Sequence, residues 1–159
     1  MANCLIINAY LPCVGTKDRL LLCEELFENM WYWRERFINC ECIIAGDFNV
    51  DLSNCHDDVS LYINSFMNAH GLSRCIKLSQ YCGQPTYVNL ALNHQSCIDF
   101  ILASNITETS CFEILDPDIN FSDHLPIYVT VTCDIPPNGK SKETTNNVLL
   151  PCQYFFTLG

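Results

Sequence analysis

The chain has 159 residues, a length that fits one domain, and its 49% hydrophobic content supports a sizeable buried core. Charged residues make up 16% of the chain and aromatic residues 11%, which excludes a mainly disordered protein. The formal net charge is -10 and the eight Lys and Arg residues are scattered, which argues against a dedicated basic surface for nucleic acid.

The cysteine content and the N-terminal residues together indicate the cellular compartment. The chain has 12 cysteines, but its N-terminal residues lack the basic and long apolar regions of a signal peptide. We therefore expect reduced thiols and an intracellular protein of the nucleus or cytoplasm. No Cys-x-x-Cys pair occurs, which disfavours a structural zinc site. No run reaches the roughly 18 apolar residues of a membrane span, so we expect no membrane association through such a span.

The first half of the chain alternates apolar runs with helical periodicity. Cys4–Ile7 and Cys42–Ala45 predict buried strands, each followed by a polar loop. Apolar residues recur every three or four positions from Lys17 to about Ile38, which predicts an amphipathic helix. A second helix is predicted from Asp57 to Ala69, with Gly71 ending it. The residues expected to face the core are Leu22, Leu26, Met30, Trp33 and Phe37 in the first helix, and Leu61, Phe66 and Ala69 in the second.

The second half of the chain reads as loops and strands. Residues 83–95 are rich in Pro and Asn and predict a loop with one short strand. Cys97–Ala103 and Pro126–Cys133 have strong β character. We expect one domain over residues 1–134 and a C-terminal tail over 135–159. The tail begins with a Pro- and Asn-rich polar stretch and ends in an apolar segment from Val148, for which a docked tail and an added sequence both remain open.

Several polar side chains near the ends of these strands have no obvious packing role. A single Asp after a strand is more often a turn residue or a helix cap than a catalyst. Asp99 is different because it lies inside an apolar strand, where an unpaired buried carboxylate is costly. We expect Asp99 to have a partner, and a histidine would serve. The whole set is Asn8, Tyr10, Asp47, Asn49, Asp99, Asp123 and His124.

Four short motifs that carry these residues occur in a fixed order. They are NAYLP at 8–12, GDFN at 46–49, SCID at 96–99 and SDHLP at 122–126. In this order they resemble the signature motifs of the endonuclease/exonuclease/phosphatase superfamily, and the resemblance covers about Leu5 to Thr132. PTY at 85–87, together with the LPI ending at 125–127, is most similar to the apurinic-type endonuclease domain of non-LTR retrotransposons. The resemblance implies an α/β (α+β) fold, a β-sandwich flanked by helices in the DNase I-like four-layer arrangement, incomplete at its N-terminus.

The resemblance also implies catalytic roles in phosphodiester hydrolysis. Asp47 would orient and deprotonate the attacking water, and Asn49 would hold that water or a phosphate oxygen. His124 would bind a non-bridging oxygen of the scissile phosphate. Asp99 would fix the tautomer of His124 and raise its basicity.

The same resemblance implies a metal site and a phosphate pocket. Asp123 would face Mg²⁺ or Mn²⁺, ions that prefer hard oxygen ligands, while Asn8 and Tyr10 would line the phosphate pocket. The superfamily normally has an Asn-bearing strand and a Glu-bearing strand before the Tyr motif, and that Glu is its principal metal ligand. Neither strand precedes Tyr10 in this sequence. We therefore expect the metal to bind weakly.

Three hypotheses for function follow. The first is a retroelement-derived, metal-dependent endonuclease that hydrolyses DNA, with a reverse transcriptase as a further partner. The second is a catalytically inactive remnant or interaction module. The third is a phosphatase or deadenylase of the same superfamily, because an acidic chain tolerates a small or RNA substrate better than duplex DNA.

Overall fold

The computed structural model describes residues 3–38, 40–75, 83–104, 109–115, 122–132 and 147–151. Within these ranges the chain forms two helices and nine strands. The helices are α1 (Arg19–Arg36) and α2 (Asp58–Ala69). The strands are β1 (Asn3–Tyr10), β2 (Cys40–Asp47), β3 (Ser73–Arg74), β4 (Tyr87–Asn89), β5 (His94–Ser96), β6 (Asp99–Ala103), β7 (Thr109–Ile114), β8 (Ile127–Thr132) and β9 (Asn147–Pro151). Among the described helices, none is both long and apolar enough to cross a membrane.

The second helix has clear start and stop signals in the sequence. The side chain of Asp57 caps α2 by accepting a hydrogen bond from the Ser60 backbone N–H at 3.0 Å. At the other end, Gly71 adopts a positive φ of 65°, and Leu72 N–H donates to the Met67 carbonyl at 2.9 Å. This pattern closes the last turn of the helix through glycine. The predicted start at Asp57 and stop at Gly71 are therefore both confirmed.

Two separate β-sheets form the framework. The first has the order β1-β2-β6-β3, with β1 parallel to β2 and β6 antiparallel to both β2 and β3. The second has the order β7-β8-β9 and is antiparallel throughout. A short hairpin of β4 and β5 stands apart from both sheets, where the sequence predicted one short strand in a loop.

The first hydrophobic core lies between the helices and one face of the first sheet. Phe27 of α1 is its centre and makes edge-to-face contacts with Phe48 and Phe66, the ring centroids lying 6.2 Å and 4.9 Å apart. Ile44 and Leu102 contribute the sheet side of this core. Burial of these side chains holds both helices against the same sheet.

The second core lies between the two sheets. Ile43 and Ile101 point from the first sheet into this core, while Phe112, Ile127 and Val129 come from β7 and β8. Adjacent residues of one strand therefore serve opposite cores, as the pleat of a strand requires. The described residues thus stack as helices, sheet and sheet, which confirms the mixed α/β pattern of the sequence and the sandwich that the family resemblance implies.

The core-facing sides of the two helices differ from the prediction. In α1, Trp33 is 53% exposed, and Leu22, Leu26 and Phe37 are exposed as well. The buried face of α1 consists of Cys23, Phe27 and Met30, so only Met30 of the predicted stripe is buried. In α2, Phe66 is buried as predicted, but Leu61 and Ala69 are exposed. The prediction was wrong because apolar residues occur on more than one side of α1, so that spacing alone does not select one face.

An open groove lies between α1 and β1. Leu26, Met30 and Trp33 line one wall of this groove, and residues 5–10 line the other, enclosing about 370 Å³. β1 is at the edge of the described sheet, since it pairs with β2 alone among the described strands. Leu26 and Trp33 therefore lie on the surface, beside the edge strand of the sheet.

The described part of the C-terminal segment is a strand. Residues 147–151, whose sequence shows no periodicity, form β9 and pair antiparallel with β8, with Val129 opposite Leu150. The Pro- and Asn-rich stretch that predicts a domain exit at residues 136–146, and the boundary at 134, lie outside the described residues.

The unequal burial of two aromatic residues in α1 gives a direct test of the helix orientation. We expect Phe27→Ala to lower the free energy of unfolding by about 3–5 kcal/mol, because Phe27 is fully buried. Trp33→Ala should change it by less than about 1 kcal/mol, because the indole is half exposed. Urea unfolding followed by circular dichroism measures both. A larger loss for Trp33→Ala would show that α1 packs through its other face.

Candidate active site

Three strand ends bring polar residues into one row across the first sheet. In the strand register Tyr10 is the partner of Asp47, and Asp47 is the partner of Asp99. Paired residues of neighbouring strands project to the same face of a sheet. Asn8 lies two residues before Tyr10 and so shares this face. Four of the predicted site residues therefore lie together at one end of the sheet.

Glycine before Asp47 is required by the close approach of β1 and β2. Gly46 has φ of 150°, and a Cβ built on it would lie 1.8 Å from the Ala9 carbonyl oxygen. Any side chain at position 46 would force the two strands apart. The glycine thus keeps Asp47 in register with Tyr10.

The residues after β2 form a tight turn that folds Asn49 back onto Asp47. Asn49 N–H donates to Asp47 Oδ1 at 2.8 Å, and Asn49 Nδ2 donates to Asp47 Oδ2 at 3.2 Å and to the Leu11 carbonyl at 2.9 Å. Asn49 has a positive φ of 51°, a conformation that Asn tolerates better than most residues. Phe48 anchors the turn because it is fully buried and its N–H donates to the Ile98 carbonyl at 2.8 Å. Both oxygens of the Asp47 carboxylate are therefore oriented by the residue two positions on.

Asp99 has the histidine partner that its position in an apolar strand predicts. Asp99 has no exposed surface, and His124 Nδ1 lies 3.0 Å from Oδ2 and 3.2 Å from Oδ1 of its carboxylate. His124 Nε2 lies 3.9 Å from Asp47 Oδ2. The imidazole thus stands between the two aspartates, with one ring nitrogen directed at each.

Thr86 joins the elements that carry Asp99 and His124. This fully buried side chain accepts hydrogen bonds through its Oγ1 from Ile98 N–H at 3.1 Å and from Asp99 N–H at 3.0 Å. Its carbonyl accepts a bond from Leu125 N–H at 2.7 Å. The sequence marks Thr86 only as part of the PTY motif and gives it no role, because a Thr between Pro and Tyr has no periodicity and no charge.

Tyr87 completes the wall around the histidine. Its ring lies edge-to-face with that of His124 at 5.1 Å between centroids, and a backbone bridge joins the same two residues. Val88 N–H donates to the Asp123 carbonyl at 2.7 Å. The β4-β5 hairpin therefore positions the Asp123-His124 loop.

The charges of this cluster shift the pKa values of two of its members. Burial raises the pKa of Asp47 above its ordinary value, and the charges of Asp99 and Asp123 add to the increase, against the Asn49 N–H bond and His124. The hydrogen bond that His124 donates to Asp99 raises the pKa of His124, while burial lowers it. Asp123 also raises the pKa of His124, so its charge acts at this site although its side chain is exposed.

The predicted site residues occupy three kinds of environment. Asp47, Asn49, Asp99 and His124 are joined by short contacts. Asn8 and Tyr10 lie on the same sheet face but are exposed, Tyr10 by 72%. Asp123 precedes His124 on the hairpin-bound loop and is exposed.

Three of these groups lie close enough to share a metal ion. Ligand atoms of Asp47, Asp99 and His124 all lie within 4.8 Å of one another. However, Asp99 is fully buried and bonded to His124 Nδ1, which leaves little room for the water shell that Mg²⁺ keeps. The exposed carboxylate of Asp123 is better suited to a partly hydrated ion.

Replacement of Thr86 tests how the cluster is held. Thr86→Val keeps the shape of the side chain but leaves the N–H groups of Ile98 and Asp99 without their acceptor. We expect a loss of about 1–3 kcal/mol in the free energy of unfolding, measured in urea. Thr86→Ser, which keeps the hydroxyl group, should lose less than Thr86→Val. A loss in Thr86→Ser without a loss in Thr86→Val would show that the methyl group, and not the hydroxyl, stabilises this region.

The raised pKa of His124 predicts how stability depends on pH. Because the folded pKa lies above the ordinary value of 6.5, the folded protein binds the proton more tightly than the unfolded chain. This stability is fully present below pH 6.5 and is lost as the pH rises through the folded pKa. Unfolding free energies measured across this range in a chelator should show the decline for the wild type and for His56→Gln, which changes an exposed histidine. The decline should disappear in His124→Gln, and its persistence there would assign it to another group.

Comparison with known proteins places this geometry in context. The family model described as endonuclease-reverse transcriptase matches residues 4–128. No curated protein matches the chain significantly. Among solved structures, a 3'-5' exonuclease from Neisseria meningitidis is similar, with a TM-score of 0.60 and 17% identity over 79% of this chain and 60% of that one.

Two structures from Bacteroides thetaiotaomicron are also similar. An endonuclease/exonuclease/phosphatase family protein has a TM-score of 0.56 and 22% identity, over 78% of this chain and 48% of that chain. A mannosyl-6-phosphatase has a TM-score of 0.56 and 24% identity, over 78% of this chain and 49% of that chain. This chain therefore spans about half to three fifths of the length of these structures, and at such identities the likeness shows the fold.

Proposed function

We propose that this chain, which belongs to the endonuclease-reverse transcriptase family and has the endonuclease/exonuclease/phosphatase fold, hydrolyses phosphodiester bonds of DNA with a divalent metal ion. One observation carries the proposal. Asp47, oriented by Asn49, faces His124, oriented by Asp99, at the ends of adjacent strands. This is the arrangement that a general base and a phosphate-binding group need in order to act on one reacting centre.

Asp47 and Asn49 would act on the attacking water. Burial raises the pKa of Asp47, which makes its carboxylate a stronger base than an exposed one. Asn49 fixes both carboxylate oxygens and so limits the directions from which Asp47 can accept a proton. In this role Asp47 orients and deprotonates the water, and Asn49 holds the water or a phosphate oxygen.

His124 would stabilise the charge that develops on the phosphate. Its Nδ1 is bonded to Asp99, so its Nε2 is the nitrogen on the side of Asp47. The distance of 3.9 Å between Nε2 and Asp47 Oδ2 exceeds hydrogen-bond length. A phosphate oxygen that contacts Nε2 would therefore lie beside the water that Asp47 orients. Because Asp99 raises the pKa of His124, the imidazole carries more positive charge at neutral pH than an isolated histidine.

The carboxylates of the site make a cation necessary for an anionic substrate. Asp47, Asp99 and Asp123 act electrostatically on this centre, while His124 is the one basic group in the described cluster. A phosphodiester would be repelled unless a cation offset this charge. We assign Mg²⁺ or Mn²⁺ to the exposed carboxylate of Asp123, as a hard oxygen ligand. A bound ion would polarise the phosphate and offset its charge.

Asn8 and Tyr10 would complete the substrate side of the site. They lie on the sheet face of Asp47, and both are exposed, as a contact to a phosphate backbone requires. We propose that they line the phosphate pocket. We further propose a retroelement origin, with a reverse transcriptase as partner, since the description of the matching family joins the two activities.

A phosphatase function is the second candidate. The net charge of -10, with eight Lys and Arg residues in the chain, favours a small phosphomonoester over a long polyanion. The similar solved structures include a mannosyl-6-phosphatase as well as an exonuclease. The same residues would serve, because both reactions place a water in line with a phosphorus atom.

Nicking of supercoiled plasmid tests the proposal. The purified protein should nick the plasmid with Mg²⁺ or Mn²⁺, and a chelator should abolish nicking. Asp47→Asn and His124→Ala should each lower the rate by about 100-fold or more, because each removes a group needed in the transition state. Asp58→Asn, which changes an exposed carboxylate of α2, should leave the rate unchanged.

The remaining outcomes separate the alternatives. Equal nicking by the wild type and Asp47→Asn would assign the activity to a contaminant. Hydrolysis of a small phosphomonoester without nicking, lost in the same variants, would favour the phosphatase. A folded wild type that is inert on both substrates with either metal would leave the inactive remnant or interaction module.

A further inference from the structure

Arg19 connects three segments that surround the candidate active site. It is the first residue of α1, and its Nε donates to the Pro12 carbonyl at 3.0 Å. Its Nη1 donates to Asp57 Oδ2 at 3.1 Å, and its Nη2 donates to the Asn49 carbonyl at 2.7 Å. One side chain thus joins the loop after β1, the turn after β2 and the N-terminus of α2.

The burial and geometry of Arg19 distinguish it from a surface charge. Its side chain is 12% exposed, and each guanidinium nitrogen bonds to a different segment. Only the planar guanidinium has donors that diverge in this way, whereas the ammonium of a lysine is a single point on a flexible stem. The three contacts therefore require arginine.

The shortest contact of Arg19 acts on Asn49. The positive φ of Asn49 turns its carbonyl away from Asp47 and towards Arg19, while its N–H and side-chain amide turn towards the Asp47 carboxylate. The same amide donates to the Leu11 carbonyl, next to the Pro12 carbonyl that Arg19 also binds. Arg19 therefore holds two backbone segments around Asn49, the turn after β2 and the loop after β1.

The contact with Asp57 fixes the other end of the turn. Burial raises the pKa of Asp57, but the hydrogen bonds from Ser60 N–H and from Arg19 outweigh it and hold the pKa below its ordinary value. The ionised carboxylate both caps α2 and pairs with Arg19. The loop between Asn49 and Asp57 is thereby tied at both ends to the same guanidinium.

We propose that Arg19 is a positioning residue, which holds Asn49, and through Asn49 the carboxylate of Asp47, in the geometry that hydrolysis needs. Arg19 contacts none of the reacting atoms itself. The effect on catalysis rests on the proposed function, whereas the effect on the position of Asn49 does not. The two effects are measured separately.

The variants remove the contacts of Arg19 in steps. Arg19→Met keeps much of the apolar stem and removes all donors, and Arg19→Lys keeps the charge but not the three divergent donors. Asp57→Asn keeps a side-chain oxygen that can cap α2, and it weakens only the ion pair between Arg19 and the N-cap of α2. Arg34→Met is the matched control, because Arg34 lies on the same helix and its Nη1 bonds to the Phe37 carbonyl, three residues away, at 3.0 Å.

The first measurement needs no activity and follows the side-chain amide of Asn49 by NMR, with the wild type as reference. In Arg19→Met we expect its Nδ2 protons to shift towards free-amide positions and to exchange with solvent about 10-fold faster or more, because the bonds to Leu11 and Asp47 weaken. Arg19→Lys should show a smaller shift of the Asn49 Nδ2 protons and a smaller increase in their exchange rate. It replaces Arg19→Met in this test if Arg19→Met does not fold. Asp57→Asn and Arg34→Met should leave the Asn49 signals near their wild-type positions. Unchanged Asn49 signals in a folded Arg19 variant would overturn the proposal, as would an equal change in Asp57→Asn.

The second measurement is a double-mutant cycle on nicking. Arg19→Met should lower the turnover rate by about 10- to 100-fold, because a small displacement of a catalytic group has effects of this size. In a protein that already carries Asn49→Ala, the same replacement should cause little further loss, since its effect passes through Asn49. Full additivity of the two losses would overturn the proposal. A wild type without nicking would contradict the proposed function alone, and the NMR comparison would still decide the role of Arg19.

Discussion

The arrangement of the site depends on a single buried carboxylate. Asp99 has no exposed surface, so it must be matched by hydrogen-bond donors inside the protein. His124 supplies one of these, and it comes from a loop more than 20 residues away in sequence. That loop is held by the β4-β5 hairpin, through Thr86 and Val88. The requirement to satisfy Asp99 therefore couples the first sheet, the hairpin and the loop before β8, and it sets the direction of the imidazole towards Asp47.

The sheet contributes the second constraint, which is alignment. Tyr10, Asp47 and Asp99 belong to three strands, yet the register makes them direct neighbours at one end of the sheet. Gly46 keeps β1 and β2 in this register, because a side chain there would collide with the backbone of β1. Directly beyond the strand ends the chain needs turns, and the turn at Asn49 is held from outside by Arg19. The rigid part of the fold thus carries the carboxylates, and the turns carry the groups that orient them.

The electrostatics of the cluster follow from the same packing. Burial raises the pKa of Asp47, and the hydrogen bond to Asp99 raises the pKa of His124, so that Asp47 is a stronger base and His124 holds its proton more tightly than the isolated side chains would. An excess of carboxylates around one histidine suits a phosphate only with an added cation. This charge balance ties the acidic composition of the chain to the proposed use of a divalent metal.

The sequence alone predicted both helices, the main strands and the polar residues at the strand ends. The strand at Cys42–Ala45 lies inside β2, the cap at Asp57 begins α2, and the need of Asp99 for a histidine partner was visible from its apolar neighbours, because these are local signals of periodicity, capping and burial. Only the tertiary structure decided which face of α1 is buried, since apolar residues on several sides of that helix leave its rotation to the fit against the sheet. It also decided the roles of Thr86 and Arg19. A neutral hydroxyl and an arginine at a helix start look ordinary in sequence. Their importance comes from partners 7 to 38 positions away, which only the folded chain brings within hydrogen-bond distance.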